Sequence, residues 1–195
     1  MATEVLEQTD AADRLIRRAA TVEEFWALPE SLDKVEYVNG EIIVAPTPTV
    51  RHQGVVRNIL IALHNYAQKN RLGSFYCSPL DVVLPSGDVV QPDVFFLTTE
   101  QVKHAEPDKR VYGTPPLVIE ILSPGTATHD TLTKRGLYER NGVREYWIVD
   151  VGGKTIAQLV LRKKHYALTE LAEGDSIKSA ALAGFETNVG RLLGI

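Results

Sequence analysis

Residues 117–124 read L-V-I-E-I-L-S-P. Apolar side chains on both faces of a short run mean a strand covered on both sides, at the centre of a sheet. Glu120 then carries a carboxylate into a place where charge is costly unless something pairs with it. Downstream, residues 130–140 have helical spacing and Gly142 just past their end, where a C-cap glycine sits. Asp130, Lys134 and Tyr138 recur every four residues and share one face of that helix. Three more strands follow at 145–151, 155–161 and 165–171, the first two joined by a Gly152-Gly153 hairpin turn.

Upstream, residues 89–97 read V-V-Q-P-D-V-F-F-L. Asp93 repeats the pattern of a carboxylate inside an apolar strand. Pro92 has no N–H for a ladder, so this strand is expected at an edge or bulged there. Shorter strands are expected at 75–77 and 81–84, with a turn at 85–88. Val55, Val56, Ile59, Leu60, Leu63 and Ala67 mark a helix over 52–70. Residues 33–44 form a hairpin around Asn39-Gly40, the strongest short-range signal for one. Thr21 with Glu24 predicts a capped helix over 22–28, ended by Pro29. Residues 1–20 read as an N-terminal arm, 98–114 as a loop that can hold a helical turn, and the tail from Leu182 as a weak, mixed segment. The sum is one α/β domain over 21–195: a mixed β-sheet flanked by helices, with an additional β-hairpin.

The chain has 195 residues, 44% hydrophobic and 24% charged, which fits one well-buried core. No apolar run reaches the roughly 20 residues of a membrane span. The first residues lack the apolar core of a signal peptide. The single Cys77 excludes an internal disulfide framework and a multi-cysteine zinc site. A cytoplasmic protein is expected. A net charge of −4 argues mildly against a general nucleic-acid coating protein but not against a nuclease, whose metal-binding carboxylates add negative charge.

Two carboxylates on neighbouring strands can hold a hard divalent cation, because Mg²⁺ takes one or two carboxylates and completes its shell with water and phosphate oxygens. Asp93 and Glu120 are the candidates, with Glu36 beside the first hairpin as a further metal ligand. Lys134 is the candidate to orient water or stabilise a charged phosphorus centre. It could equally be the structural counter-ion of a buried Glu120. His52, at a helix start, is a candidate phosphate contact, though such histidines are more often structural. Asp130 resembles an N-cap of the Lys134 helix. Tyr138, Tyr146 and Trp147 read as packing groups, and Cys77 as a small core residue. Ser123 has no partner histidine nearby, which leaves a serine hydrolase without support.

These segments together resemble the Uma-type restriction-endonuclease family of the PD-(D/E)XK nuclease superfamily. The matching stretches are V-E-Y-V-N-G-E-I at 35–42, H-Q at 52–53, Q-P-D-V at 91–94, V-I-E-I-L-S-P at 118–124, D-T-L-T-K-R-G-L-Y at 130–138 and G-V-R-E-Y-W-I-V-D at 142–150. They span roughly residues 20–170, in order. The resemblance implies a restriction-endonuclease-like fold and a Mg²⁺- or Mn²⁺-dependent endonuclease cleaving DNA. Asp93, Glu120 and Glu36 would bind the metal, and a homodimer would make double-strand cuts. The superfamily's E-x-K pattern would place a lysine at 122, where this chain has Leu122. The resemblance implies that Lys134 has taken over from the following helix. The same departure fits a second reading, a catalytically inactive module that binds nucleic acid or a protein partner.

Overall fold

The computed structural model describes residues 15–29, 31, 33–105, 110–123, 125 and 127–195. Residues 1–14 of the expected arm and residues 106–109 of the expected 98–114 loop lie outside them. In chain order the elements begin with β1 (Ile16–Ala19), α1 (Val22–Trp26), β2 (Val35–Val38), β3 (Glu41–Val44), α2 (Val50–Lys69) and β4 (Gly73–Cys77). Then come β5 (Val82–Val83), β6 (Val89–Val90), β7 (Val94–Thr98), α3 (Thr99–His104), β8 (Val111–Tyr112) and β9 (Leu117–Ile121). A π-helical turn (His129–Lys134) runs into α4 (Arg135–Arg140). The chain ends with β10 (Glu145–Asp150), β11 (Thr155–Arg162), β12 (His165–Ala172), β13 (Ser176–Lys178), β14 (Glu186–Asn188) and α5 (Val189–Leu193).

Two six-stranded mixed sheets carry the fold. One has the order β1-β3-β2-β6-β5-β8, the other β12-β11-β10-β9-β7-β4. β9 runs parallel to β10 and antiparallel to β7, at the centre of the second sheet as expected. Its Leu117, Ile119 and Ile121 pack with Val55, Ile59 and Leu63 of α2. Val118 faces the other way, into a core shared with Val38 of β2 and Tyr138 of α4. Because side chains alternate along a strand, Glu120 lies on the Val118 face. The opposing first sheet sends Glu36 toward it from the same face as Val38.

Local chemistry explains several elements. Asn39 and Gly40 take φ of 54° and 80°, the positive values of a type I′ turn whose twist suits a tight hairpin. The β2–β3 register follows, with Val38 opposite Glu41. Thr21 and Glu24 form the capping box of α1.

Four expectations change. Residues 16–19 are not arm but strand β1, paired along β3 from Ile16 opposite Val44 to Ala19 opposite Glu41. The run 89–97 is not one strand: β6 belongs to the first sheet and β7 to the second. Gln91, Pro92 and Asp93 form the handover, where a residue without an N–H interrupts no ladder. The helix over 130–140 begins as a π-helical turn, and Asp130 does not cap it. Asp130 is a buried member of that turn, which Thr128 precedes without any side-chain cap. The tail from Leu182, read as a weak, mixed segment, is part of the core, with Leu182, Phe185, Val189 and Leu192 buried in one cluster with α2.

Candidate active site

The sandwich concentrates charge where the two sheets meet. Glu36, Asp93, Glu120, His129, Asp130 and Lys134 are all buried. They are brought together by β2, the Gln91–Asp93 handover, β9 and the π-helical turn. Every charged sequence candidate therefore converges on one locus.

The groups form a chain of alternating sign. Lys134 Nζ lies 2.9 Å from Glu36 Oε1 and 2.7 Å from Glu120 Oε1, and 3.6 Å from Asp130 Oδ1. Tyr138 donates its hydroxyl to the same Glu120 oxygen at 2.9 Å. The other Glu120 oxygen, Oε2, is 3.3 Å from Lys34 Nζ, which reaches Asp93 Oδ1 at 2.9 Å. Asp93 Oδ2 accepts from the Ile121 backbone N–H at 2.8 Å and stands 3.1 Å from His52 Nε2. Two carboxylate oxygens from neighbouring strands thus converge on one cationic atom, Lys34 Nζ.

The far end is closed by backbone and ring groups. Gln91 N–H donates to Glu36 Oε1 at 2.8 Å. His129 Nε2 stands 3.6 Å from Glu36 Oε2, longer than a hydrogen bond. The other ring nitrogen of His129 lies 3.1 Å from the Arg17 guanidinium. Tyr146 donates to the Asp130 carbonyl at 3.0 Å. Tyr138 and Tyr146 pack edge to face, as expected of packing groups, yet each hydroxyl also supports a member of the cluster.

Electrostatics follow from this pairing. Burial alone would raise the Asp93 carboxyl, but Lys34, the His52 ring and the Ile121 amide outweigh it and hold it below the usual carboxylate range. Glu36 is lowered likewise: burial opposes ionisation, and Lys134 with the His129 ring overcomes that. Burial disfavours the Lys34 ammonium, and Asp93 with Glu120 more than restore it, raising it above an ordinary lysine. Burial disfavours the Lys134 ammonium as well, and Glu120, Glu36 and Asp130 together more than restore it, raising it well above an ordinary lysine. Burial and then Glu120 push the Tyr138 hydroxyl up, so it stays a donor.

The cluster borders a cleft on the side of Lys34, His52 and Asp93. A cleft of about 360 Å³ is lined by Lys34, Pro48, His52, Cys77, Asp93 and Ser123, among others. The side chains of Lys34 and His52 are 21% and 11% exposed, while Lys134 and Glu120 are 1% exposed. Lys134 therefore has carboxylate partners rather than a face on the cleft. Sequence reading did not single out Lys34 or His129. A signal existed for Lys34, which shares the strand face of Glu36 and Val38 two and four residues on. Among the described residues, no group of three or more His, Cys, Asp or Glu side chains is arranged to hold a metal ion. Asp93 and Glu120 present two oxygens to one point, Lys34 Nζ, on the side of the cleft.

Residues 22–190 match the Uma2 family model, described as "Putative restriction endonuclease". The chain belongs to this family. Among solved structures, this Uma2-family chain is similar to one titled as a putative nuclease belonging to DUF820 from Anabaena variabilis ATCC 29413. The TM-score is 0.75 at 17% identity, over 89% of this chain and 97% of that one. The likeness is one of fold, and it agrees with the restriction-endonuclease-like α/β architecture expected from the sequence. No curated protein matches the chain. No helix among the described residues is long and apolar enough to cross a membrane.

Proposed function

We propose that this Uma2-family chain hydrolyses phosphodiester bonds of nucleic acid, with DNA the first substrate to test, using Mg²⁺ or Mn²⁺ held by Asp93 and Glu120. One observation carries the reading: Asp93 Oδ1 and Glu120 Oε2 converge on a single cation, Lys34 Nζ, at 2.9 and 3.3 Å. Two hard oxygens with room for water and phosphate oxygens suit Mg²⁺ or Mn²⁺. When bound, such an ion supplies Lewis acidity and activates water near neutral pH.

The chain's own residues prepare this chemistry. Lys134 and Tyr138 occupy Glu120 Oε1, which leaves Oε2 directed toward Asp93. The Ile121 amide and His52 hold Asp93 Oδ2, which leaves Oδ1 on the Lys34 side. Glu36 and Glu120 flank the Lys134 ammonium on two sides, so Glu36 acts by fixing Lys134 rather than as a third ligand. Lys134 acts as a positioning residue through Glu120. His52 and Lys34 border the cleft and are placed to meet a substrate phosphate. A homodimer would bring two such sites to the two strands of a duplex.

The test is cleavage of supercoiled plasmid and of single-stranded DNA with Mg²⁺ or Mn²⁺, against EDTA. Metal-dependent cleavage that is absent in Asp93→Asn supports the reading. Cleavage that persists in EDTA or in Asp93→Asn would overturn it. The second reading, a nuclease-fold module without activity, is favoured by Leu122 at the usual lysine position and by the enclosure of Lys134. Metal-independent DNA binding without cleavage would support that alternative.

A further inference from the structure

We propose that Lys34 is a placeholder cation: its ammonium fills the point between Asp93 and Glu120 in the metal-free protein and vacates it for a divalent ion. This rests on the metal-binding reading above.

Three observations carry it. Lys34 Nζ contacts one oxygen of each carboxylate, Asp93 Oδ1 and Glu120 Oε2, while the second oxygen of each is held elsewhere by chain groups. The geometry is that of a cation shared by two ligands. Lys34 is also the more exposed of the two buried-cluster lysines and borders the cleft, so its flexible stem has open space to withdraw into. Lys134, in contrast, is enclosed by three carboxylates and has no such route.

The physical need is evident. Without a counter-charge, Asp93 and Glu120 would face each other as two buried anions, which is destabilising in a low-dielectric site. A resident ammonium lets the site fold before metal arrives. The consequence is competition: any ion entering must displace a favourable pair, so Lys34 weakens metal binding while stabilising the metal-free protein.

The experiment uses EDTA-treated, dialysed full-length protein. Mn²⁺ is titrated by calorimetry, with thermal unfolding followed at each concentration, for wild type, Lys34→Met, Lys34→Gln and Asp93→Asn. The expected result is a lower metal-free melting temperature for Lys34→Met and Lys34→Gln. Their Mn²⁺ affinity should rise roughly ten-fold or more, the scale of removing one competing unit charge at contact distance. The melting-temperature gap to wild type should close as Mn²⁺ is added. Binding by Lys34→Met where wild type binds too weakly to measure would support the inference equally. Unchanged or weaker affinity in both Lys34 variants, with binding abolished in Asp93→Asn, would overturn it and leave the metal site standing. Absence of Mn²⁺ binding in wild type and both Lys34 variants, or equal binding in Asp93→Asn, would overturn the metal reading itself and this inference with it. Should Lys34→Met fail to fold, Lys34→Gln, shorter but with a polar uncharged end, carries the same comparison.

Discussion

Lys134 Nζ and Glu120 Oε1 lie 2.7 Å apart, and both side chains are 1% exposed. This contact joins the π-helical turn to the central strand of the second sheet. Through Glu36 it also joins the first sheet, at 2.9 Å. A charge pair in that position is a poor source of net stability but a strong constraint on geometry, because losing either member leaves the other buried without its nearest counter-charge.

Lys134→Met is therefore expected to destabilise the protein by about 3–5 kcal/mol, the range for breaking a buried pair from one side. Tyr138→Phe removes one hydrogen bond to the same charged oxygen and should cost less, about 1.5–3 kcal/mol. Urea unfolding of the two variants reads the difference. Adding Glu36→Gln to Lys134→Met should recover part of the loss, since it removes one of the stranded anions. Equal costs for Lys134→Met and Tyr138→Phe would mean that the cluster is far wetter than its burial implies.

The pH profile follows from the carboxylates. Glu36 is held below its ordinary value by Lys134 and the His129 ring against the cost of burial. A depressed folded-state pKa contributes stability that is full above the unfolded value of about 4.3 and is lost as pH falls toward the folded value. The lysines have the opposite sign. Raised above about 10.4, they contribute stability that is full below that pH and lost only as pH rises through the folded value. Melting temperature should thus hold through neutral pH and drop below about pH 4. Glu36→Gln should flatten the acid limb; an unchanged limb would assign it to other carboxylates.

Glu145 is a buried carboxylate outside this cluster, with a different job. Its Oε1 accepts from Trp147 Nε1 at 2.7 Å and Gln158 Nε2 at 2.6 Å. Its Oε2 accepts from Ser179 Oγ at 2.6 Å and the Ala181 amide at 2.8 Å. It clasps the C-terminal segment onto β10 and β11. Glu145→Leu should cost about 3 kcal/mol or more by stranding several donors. Hydrogen exchange should rise first over residues 176–195 if the clasp is local.

Gly73 takes φ of 147°, and a Cβ there would collide with the Leu97 carbonyl on the paired strand β7. Because the obstacle is backbone, nothing flexible can move aside. Gly73→Ala should destabilise by more than the roughly 1 kcal/mol that a strain-free glycine-to-alanine change can gain. Thermal unfolding beside Gly136→Ala, where a Cβ meets nothing within 4 Å, provides the control.

Much of this protein was legible in its residues. Asn39-Gly40 announces a turn needing positive φ, and the 3.6-residue period of α2 and the two-sided apolarity of β9 are local signals. They place Glu120 at the centre of a sheet because a carboxylate among L-V-I-E-I-L has nowhere else to go. Asp93 after Pro92 could likewise be read as a carboxylate at a ladder break, and Glu36 as an acid beside the hairpin, though not its burial. These features depend on the backbone preferences and burial of short segments, which sequence carries directly.

Other features depend on distant segments. Strands β5, β6 and β8 have two residues each, too short for a period, so the division of 89–97 between two sheets is decided by packing. His129 lies five residues before Lys134, a spacing that shares a face only in the wider π-helical turn. The apolar tail becomes core because α2 offers it a surface, and Lys34 becomes the bridge of Asp93 and Glu120 because two strands 27 residues apart in sequence bring their oxygens to one point. Which residues bear charge, and that longer segments such as β9, β10, β11 and β12 form strands, was therefore set by the sequence alone. Which charges neutralise each other was set by tertiary structure, since pairing energy depends on distances of a few ångströms that no local pattern encodes.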